Sequence, residues 1–239
     1  MKIIAIDTAT EACSAALYLD GLYTGQFKIA PRQHTQLILQ MIDDLLRQAG
    51  IKIADLDALA FGRGPGSFTG VRIATGIVQG LAFANDLPVI PVSTLASIAQ
   101  FACNKHQQKN IIAGIDARMG EMYWGCYRQS ENGLMILDGV EQVTPASEVS
   151  VPDSQVKWLG AGTAWQSYSE ELERCLSTQI SEIHSGYLPT SSSIAQLAVY
   201  EYEQGRVLEA SQALPVYLRN NVAKKSARGV FKRTSKAPT

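Results

Sequence analysis

The sequence is poor in the side chains that usually carry metal and acid–base chemistry. It has only 3 histidines, and no two of them have the close spacing that joins two ligands on one helical turn. His34 lies where a helix is predicted to start, His106 where another ends, and His184 in a predicted loop. Ser67 lacks the flanking pattern of a nucleophile elbow. We therefore interpret the histidines as capping or surface residues and predict neither a catalytic residue nor a metal site.

Long apolar runs and paired cysteines are also missing. No apolar run is long enough to span a bilayer, and the opening stretch MKIIAIDTAT is predicted to be a strand, not a signal peptide. The 4 cysteines are scattered and form no CxxC pair. Charged residues make up 18% and apolar residues 46% of the chain, as in an ordinary globular protein. These features predict a cytoplasmic protein with reduced thiols and no membrane contact.

Acidic residues are absent from the last part of the chain. Residues 223–239 contain six of the 21 basic residues, which leaves 15 basic against 22 acidic residues elsewhere. This distribution predicts an acidic folded body and a basic, disordered tail.

The most informative stretch spans residues 57–94. A short apolar strand, a glycine-rich loop, a helix over 71–84 and a second strand form a predicted βαβ unit with parallel strands. The loop carries Gly62, Gly64, Gly66 and Gly70, but it has no lysine of the kind that P-loops use. Two interpretations stay open: the loop amides and the helix N-terminus face an anion, or the glycines only allow a tight turn.

The helix over 71–84 is apolar nearly all round, with Arg72 and Gln79 as its strongly polar side chains. Such a helix must be covered on more than one side, either within its own domain or by another protein. The predicted helix His34–Ala49 also has a wide apolar stripe. We predict that the two helices form an association surface. Its predicted members are Leu37, Ile38, Met41, Leu45, Val71, Ala74, Gly76, Ile77, Val78, Gly80 and Leu81.

The opening pattern of the chain returns in its second half. The run IIAID ending at Asp7 is echoed by IIAGID ending at Asp116, a shift of 109 residues. Each aspartate is followed by a polar turn and a β-rich run, which predicts a duplicated α/β domain. In the second copy we predict strands over 134–143 and 157–159 and helices over 165–176 and 192–204.

This arrangement resembles the actin-like ATPase superfamily, in which each half opens with antiparallel strands and continues with parallel strands and helices. We predict domains over 1–106 and 107–222, followed by the tail. The resemblance implies a nucleotide site at Asp7, Thr8, Asp116 and Arg118; alternatively, the two aspartates only accept hydrogen bonds from their own turns.

Four motifs extend the resemblance to one family. These are IDTAT at 6–10, GRGPGSFTGVR at 62–72, IDAR at 115–118 and PVYLR at 215–219. From residue 1 to about 222 the chain is similar to the bacterial TsaB (YeaZ) family. The resemblance implies a role in making N6-threonylcarbamoyladenosine (t6A) at position 37 of tRNAs that read codons beginning with A. In that pathway the paralogue TsaD transfers the threonylcarbamoyl group, and the ATPase TsaE joins the complex.

The resemblance also implies what this chain does not do. The HxxxH metal pair of TsaD has no counterpart here, which indicates a non-catalytic partner of TsaD that forms a homodimer when alone. It implies no required cofactor, weak Mg-ATP binding at most, and contact with tRNA through the complex, to which the basic tail could add. The alternatives are a nucleotide-gated switch and, from older labelling of the wider family, a metallopeptidase.

Overall fold

The computed structural model describes residues 1–219, which fold around two β-sheets. The predicted tail over 223–239, with its expected tRNA contact, lies outside the described residues. The strands are β1 (Lys2–Asp7), β2 (Ala12–Leu19), β3 (Leu22–Ile29), β4 (Ala58–Gly62), β5 (Val89–Val92), β6 (Asn110–Asp116), β7 (Glu121–Gln129), β8 (Met135–Leu137), β9 (Gln142–Pro145), β10 (Trp158–Ala161) and β11 (Ile180–His184). The helices are α1 (His34–Ala49), α2 (Phe68–Asn85), α3 (Thr94–His106), α4 (Ala164–Ser167), α5 (Ser169–Leu176) and α6 (Ser191–Glu203).

The first sheet has the strand order β3-β2-β1-β4-β5. The turn at Asp20 and Gly21, both with positive φ, reverses the chain between β2 and β3, so that β1, β2 and β3 are antiparallel. On the other side of β1, β4 and β5 add in parallel, and α2 connects them. The predicted opening strands and βαβ unit are confirmed.

The second sheet repeats this plan with the order β11-β10-β6-β7-β8, and β9 also pairs with β7. Here β6, β10 and β11 are parallel, whereas β7 runs antiparallel to β6 and β8. The strand that opens each half therefore takes the same central position in its sheet. The predicted duplicated, actin-like α/β fold is confirmed.

Three details of the second half differ from the sequence prediction. The strand predicted over 134–143 is two strands, β8 and β9, because the chain leaves the sheet between them. The helix predicted over 165–176 is broken into α4 and α5 at Tyr168, whose backbone (φ −130°, ψ 36°) is not helical. Strand β11 was missed because ISEIH is short and half polar, a weak pattern for an exposed edge strand.

Helices cover both faces of each sheet. α1 and α2 lie on the outer face of the first sheet, where Ile38 and Val78 pack in one cluster with Ile4 and Leu59. α6 covers the inner face of that sheet, and α3 covers the inner face of the second sheet. α4 and α5 close the outer face of the second sheet. The layers are thus α1 and α2, sheet, α6 and α3, sheet, α4 and α5.

Each of the two inner helices packs on the sheet that the other half of the sequence forms. α3 follows β5 of the first sheet, yet its Ile98 packs with Ile111 of the second. α6 follows β11 of the second sheet, yet its Ile194 packs with Ile3 of the first. The predicted boundary between 106 and 107 divides the sequence copies, but the packing extends across it. Because α3 and α6 each pack on the sheet of the other half, the two halves share their inner helix layer.

Candidate functional site

The turn after β1 places Asp7 where solvent does not reach it. Its side chain is fully buried; Oδ1 accepts a hydrogen bond from the Ala9 amide at 3.0 Å, and Oδ2 has no partner among the described residues. Burial raises the pKa of Asp7 to about 7, against the lowering effect of the Ala9 hydrogen bond. A Cβ on Gly62 would lie 1.9 Å from Oδ2, so only glycine fits beside the carboxyl group.

The glycine-rich loop packs directly on this same turn. The Ser67 amide donates to the Ala9 carbonyl at 2.7 Å, and the Thr8 hydroxyl donates to the Gly70 carbonyl at 2.6 Å. A Cβ on Gly70 would lie 2.0 Å from the Thr8 carbonyl oxygen. The Ser67 side chain accepts from the Gly70 amide at 3.4 Å and caps α2. These contacts favour the interpretation that the loop glycines only allow a tight, closely packed turn, since the Ser67 amide is already used inside the chain.

A pair of glycine substitutions in α2 tests that interpretation. We expect Gly70→Ala to lower the free energy of unfolding by about 1–3 kcal/mol, because the new methyl group meets backbone that cannot rotate away. Gly76→Ala, in the same helix but facing open space, should raise it by about 0.5–1 kcal/mol. Urea denaturation of both variants measures the difference; equal stabilities would show that the loop yields easily.

The corresponding turn of the second half is built differently. Asp116 Oδ1 accepts from the Arg118 amide and from the Tyr168 hydroxyl, each at 2.8 Å, and Oδ2 accepts from Ser167 at 3.3 Å. Partial burial acts to raise the pKa of Asp116, but these hydrogen bonds and the Arg118 charge outweigh it and lower the pKa. Asp116 is therefore an ionised carboxylate that its own surroundings satisfy.

The four predicted nucleotide-binding residues thus differ in their exposure to solvent. Asp7 and Thr8 have no exposed surface, so a ligand could reach them only if the loop and turn separated. Asp116 is partly buried, and the Arg118 side chain is 85% exposed. The local role that the sequence left open for the aspartates, accepting hydrogen bonds from their own turns, is what both of them perform here.

The PVYLR motif links the glycine-rich loop to the Asp116 turn. The Val216 amide donates to the Arg63 carbonyl at 2.8 Å, and the Arg219 guanidinium donates to the Ala117 carbonyl at 3.0 Å. Tyr217 accepts a hydrogen bond from Arg72 at 2.7 Å. The sequence indicated an extended piece here but could not show that it spans both halves, because its partners lie about a hundred residues or more away in the chain.

The predicted association surface requires a correction. Six of its eleven members face the chain's own core and cannot line a contact with another protein: Ile38, Met41, Leu45, Val71, Ala74 and Val78. They are buried because α1 and α2 lie flat on the first sheet, and the inward stripe of each helix covers it. Leu37, Ile77 and Leu81 are half-buried, and Gly76 and Gly80 are exposed.

What remains outward is a narrower face of α2. Gly76 and Gly80 are followed at helical spacing by Phe83, which is 85% exposed, and a Cβ at either glycine would meet nothing within 4 Å. On the neighbouring α1, Leu39 is 51% exposed. We call Gly76, Gly80 and Phe83 the glycine face. Leu39 was missed because the sequence argument counted apolar positions without knowing which side of α1 the sheet would cover.

The structure also brings together two histidines that the sequence kept apart. The imidazole centroids of His106 and His184 are 3.8 Å apart, and Glu182 lies beside both rings. Their separation along the chain hid this cluster.

Comparison with known proteins gives one consistent family. Residues 28–226 match the family model described as TsaD: tRNA N6-adenosine threonylcarbamoyltransferase. The tRNA threonylcarbamoyladenosine biosynthesis protein TsaB of Escherichia coli K12 is 44% identical over 232 residues, covering 96% of this chain and 99% of that protein. The Haemophilus influenzae protein of the same name is 42% identical, with coverage of 96% and 98%.

Solved structures agree with these sequence matches. A structure described as YeaZ from Pseudomonas aeruginosa superposes with a TM-score of 0.86 at 46% identity, covering 91% of this chain and 99% of that one. A further structure, described as an uncharacterized protein with similarity to peptidase YEAZ from Pseudomonas aeruginosa, has a TM-score of 0.87 and the same identity and coverage.

Proposed function

Because the chain belongs to the TsaB family, and so has a role in tRNA threonylcarbamoyladenosine biosynthesis, we propose that it is a non-catalytic partner subunit of the modifying complex. Its task is to bind and support the paralogue TsaD, which transfers threonylcarbamoyl to A37 of tRNAs that read codons beginning with A. TsaE joins this complex, and tRNA is bound by the assembly. Alone, the chain pairs with itself as a homodimer.

The glycine face is the observation that carries this proposal. Gly76 and Gly80, one turn apart on an exposed helix face, allow another backbone to approach closely. Phe83 supplies a large apolar side chain that the described chain leaves uncovered. A patch paired with its own copy forms an isologous dimer. Paired with the matching helices of a paralogue of the same fold, it forms a heterodimer. One surface then serves both assemblies, which must compete for it.

Three groups that could start chemistry, Asp7, Asp116 and Ser67, support a non-catalytic role, since each is buried or already hydrogen-bonded inside the chain. Asp7 is buried without solvent access, and the Asp116 carboxylate is satisfied by its own turn. Ser67 caps α2, and within residues 1–219 it forms no hydrogen bond to a histidine. The peptidase alternative, which the description of one relative raises, needs a water-activating group that none of these supplies.

We propose that this chain requires no cofactor and that its Mg-ATP binding is weak. Of the four candidate residues only Asp116 and Arg118 have access to solvent, which is too few to hold a triphosphate and its metal. A calorimetric titration of the isolated chain with Mg-ATP distinguishes a support subunit from a nucleotide-gated switch; tight binding favours the switch.

We place the protein's work in the cytoplasm, where its pathway acts on tRNA. None of the helices within residues 1–219 is long and apolar enough to cross a membrane. Its cysteines are free thiols, in keeping with a reducing compartment.

Reconstitution tests the proposed function. The purified chain is combined with tRNA, threonylcarbamoyl-adenylate and TsaD from the same organism, each protein is also assayed alone, and t6A is measured by nucleoside analysis. We expect no t6A from the chain alone and more t6A from the mixture than from TsaD alone. Modification by the isolated chain, or metal-dependent peptide cleavage that a single substitution abolishes, would contradict a non-catalytic role.

A further inference from the structure

A cluster of three ligand-type side chains lies far from the glycine face. His106 is the last residue of α3, and Glu182 and His184 lie on β11. Glu182 Oε1 is 2.7 Å from His184 Nε2 and 3.9 Å from His106 Nδ1, and one ligand atom of each residue lies within 4.8 Å of the other two. From these positions we propose that His106, Glu182 and His184 bind one Zn²⁺ ion.

The fold, and not local spacing, makes this triad. Residues two apart on a strand point to the same side, so Glu182 and His184 stand next to each other on β11. α3 packs on the second sheet, and its C-terminal end brings His106 over them. The neighbouring cation, Lys105, is directed to the Phe101 ring, 5.3 Å away, and not to the triad.

The donor atoms favour zinc over the common hard cations. Two imidazole nitrogens and one carboxylate oxygen form a donor set that zinc uses with a water as fourth ligand, whereas Mg²⁺ and Ca²⁺ prefer oxygen ligands alone. In a tetrahedral zinc site the ligand atoms lie about 3.3 Å apart. In this structure the two imidazoles are stacked, with 24° between their planes, so both rings must turn before their nitrogens face one ion. The partly exposed side chains leave room for that turn: both imidazoles are 22% and Glu182 is 47% exposed.

Tyr187 orients the His106 ring for metal binding. Its hydroxyl is 2.7 Å from His106 Nε2, which leaves Nδ1 of the same ring turned towards Glu182. When that ring donates Nε2–H to the tyrosine oxygen, the lone pair on Nδ1 is available to a metal. Tyr187 also stacks on the His184 ring, 5.0 Å between centroids and 7° between planes. Tyr187 is thus a positioning residue.

Three protein ligands and a water are the arrangement of catalytic zinc sites, but the location between α3 and β11 indicates that this ion stabilises the fold. It would join the end of α3 to β11 and to the segment that leads into α6. α3 and α6 are the two helices that each pack on the sheet of the other half. A bound metal at this junction stabilises the folded form by mass action. With free Zn²⁺ at about a hundred times the dissociation constant, the melting temperature should rise by about 5–10 °C.

The test uses the full chain without a polyhistidine tag, freed of metal with a chelator. Zn²⁺ is titrated by calorimetry, and Co²⁺ replaces it as a probe whose visible absorption reports coordination. We expect one ion per chain and a tetrahedral Co²⁺ spectrum. Glu182→Gln and His184→Asn should each weaken binding at least about 10–100-fold, and Tyr187→Phe, which keeps the aromatic ring, about tenfold with the stoichiometry retained.

Glu170→Gln, an exposed change on α5 outside the triad, is the matched control and should bind as the parent does. Circular dichroism confirms that each variant is folded. Absence of saturable binding in the parent chain, or binding that Glu182→Gln and His184→Asn leave unchanged, overturns the proposal.

Discussion

We expect Gly80→Leu to abolish both the proposed homodimer and the proposed complex with TsaD and to leave the monomer folded; this is the largest effect that we expect from a single substitution. In the monomer the new side chain enters open space, and leucine is favoured over glycine in a helix by about 0.8–1 kcal/mol. In a close helix contact the same side chain overfills the interface at about 1–3 kcal/mol per site. An isologous dimer contains the change twice, so its association weakens by about 2–6 kcal/mol.

Analytical ultracentrifugation measures the homodimer, and co-purification with TsaD measures the complex. Gly76→Leu should act in the same way, because it faces the same side of α2. Gly186→Leu is the matched control: it adds the same side chain to an exposed glycine that α2 does not carry, and should change neither assembly. If both assemblies persist in the Gly76→Leu/Gly80→Leu double variant, the contact surface is not the glycine face.

Asp7→Asn changes how stability depends on pH, the second large effect that we expect. In the native chain the pKa of Asp7 is raised from 3.8 to about 7 by burial. Between these values the folded state holds a proton that the unfolded state has lost, so the stability of the parent falls as pH rises from about 4 to about 7. Three pKa units correspond to about 4 kcal/mol. Asparagine does not titrate. The stability of the Asp7→Asn variant relative to the parent should therefore increase by that amount as pH rises through this window.

Urea denaturation of parent and variant at pH 4.5, 5.5, 6.5 and 7.5 measures this difference. Asp116→Asn is the control of opposite sign. Hydrogen bonds lower the pKa of Asp116, so its contribution is present above the unfolded pKa and is lost only as pH falls through the lower folded value. Its difference from the parent should stay constant over the same pH range. A constant difference for Asp7→Asn as well would show that the buried carboxyl group does not hold a proton between about pH 4 and about pH 7.

Much of the fold could be predicted from local pattern. The apolar runs of β1 and β2, the turn at Gly21 and the wide apolar stripe of α1 each depend on neighbours within a few residues, and the elements they predict are present. The prediction of helices and strands failed where the pattern was weak, as at the polar edge strand β11. It also failed at Tyr168, where a helix breaks at a residue with no special sequence signal.

The functional surfaces could be predicted only in part. The sequence identified α2 as a helix too apolar for one contact, but the side that stays outward depends on how the helix lies on β1 and β4. Six positions therefore turned inward, and Leu39 and Phe83 turned outward. Likewise, the aspartates that echo each other in sequence differ in environment. The glycine-rich loop buries Asp7 completely, whereas Asp116 stays partly exposed and accepts hydrogen bonds from Ser167 and Tyr168.

By itself, the sequence determined the two-copy α/β plan, the glycine positions where backbones must approach closely, and the family to which the chain belongs. These follow from periodicity, residue size and motifs, which act over short stretches. The tertiary structure decided the exchange of α3 and α6, the link made by the PVYLR motif, the outward face of α2 and the triad of His106, Glu182 and His184. Each of these joins residues that are distant in the chain, and their contact depends on the packing of whole sheets and helices, which no local pattern encodes.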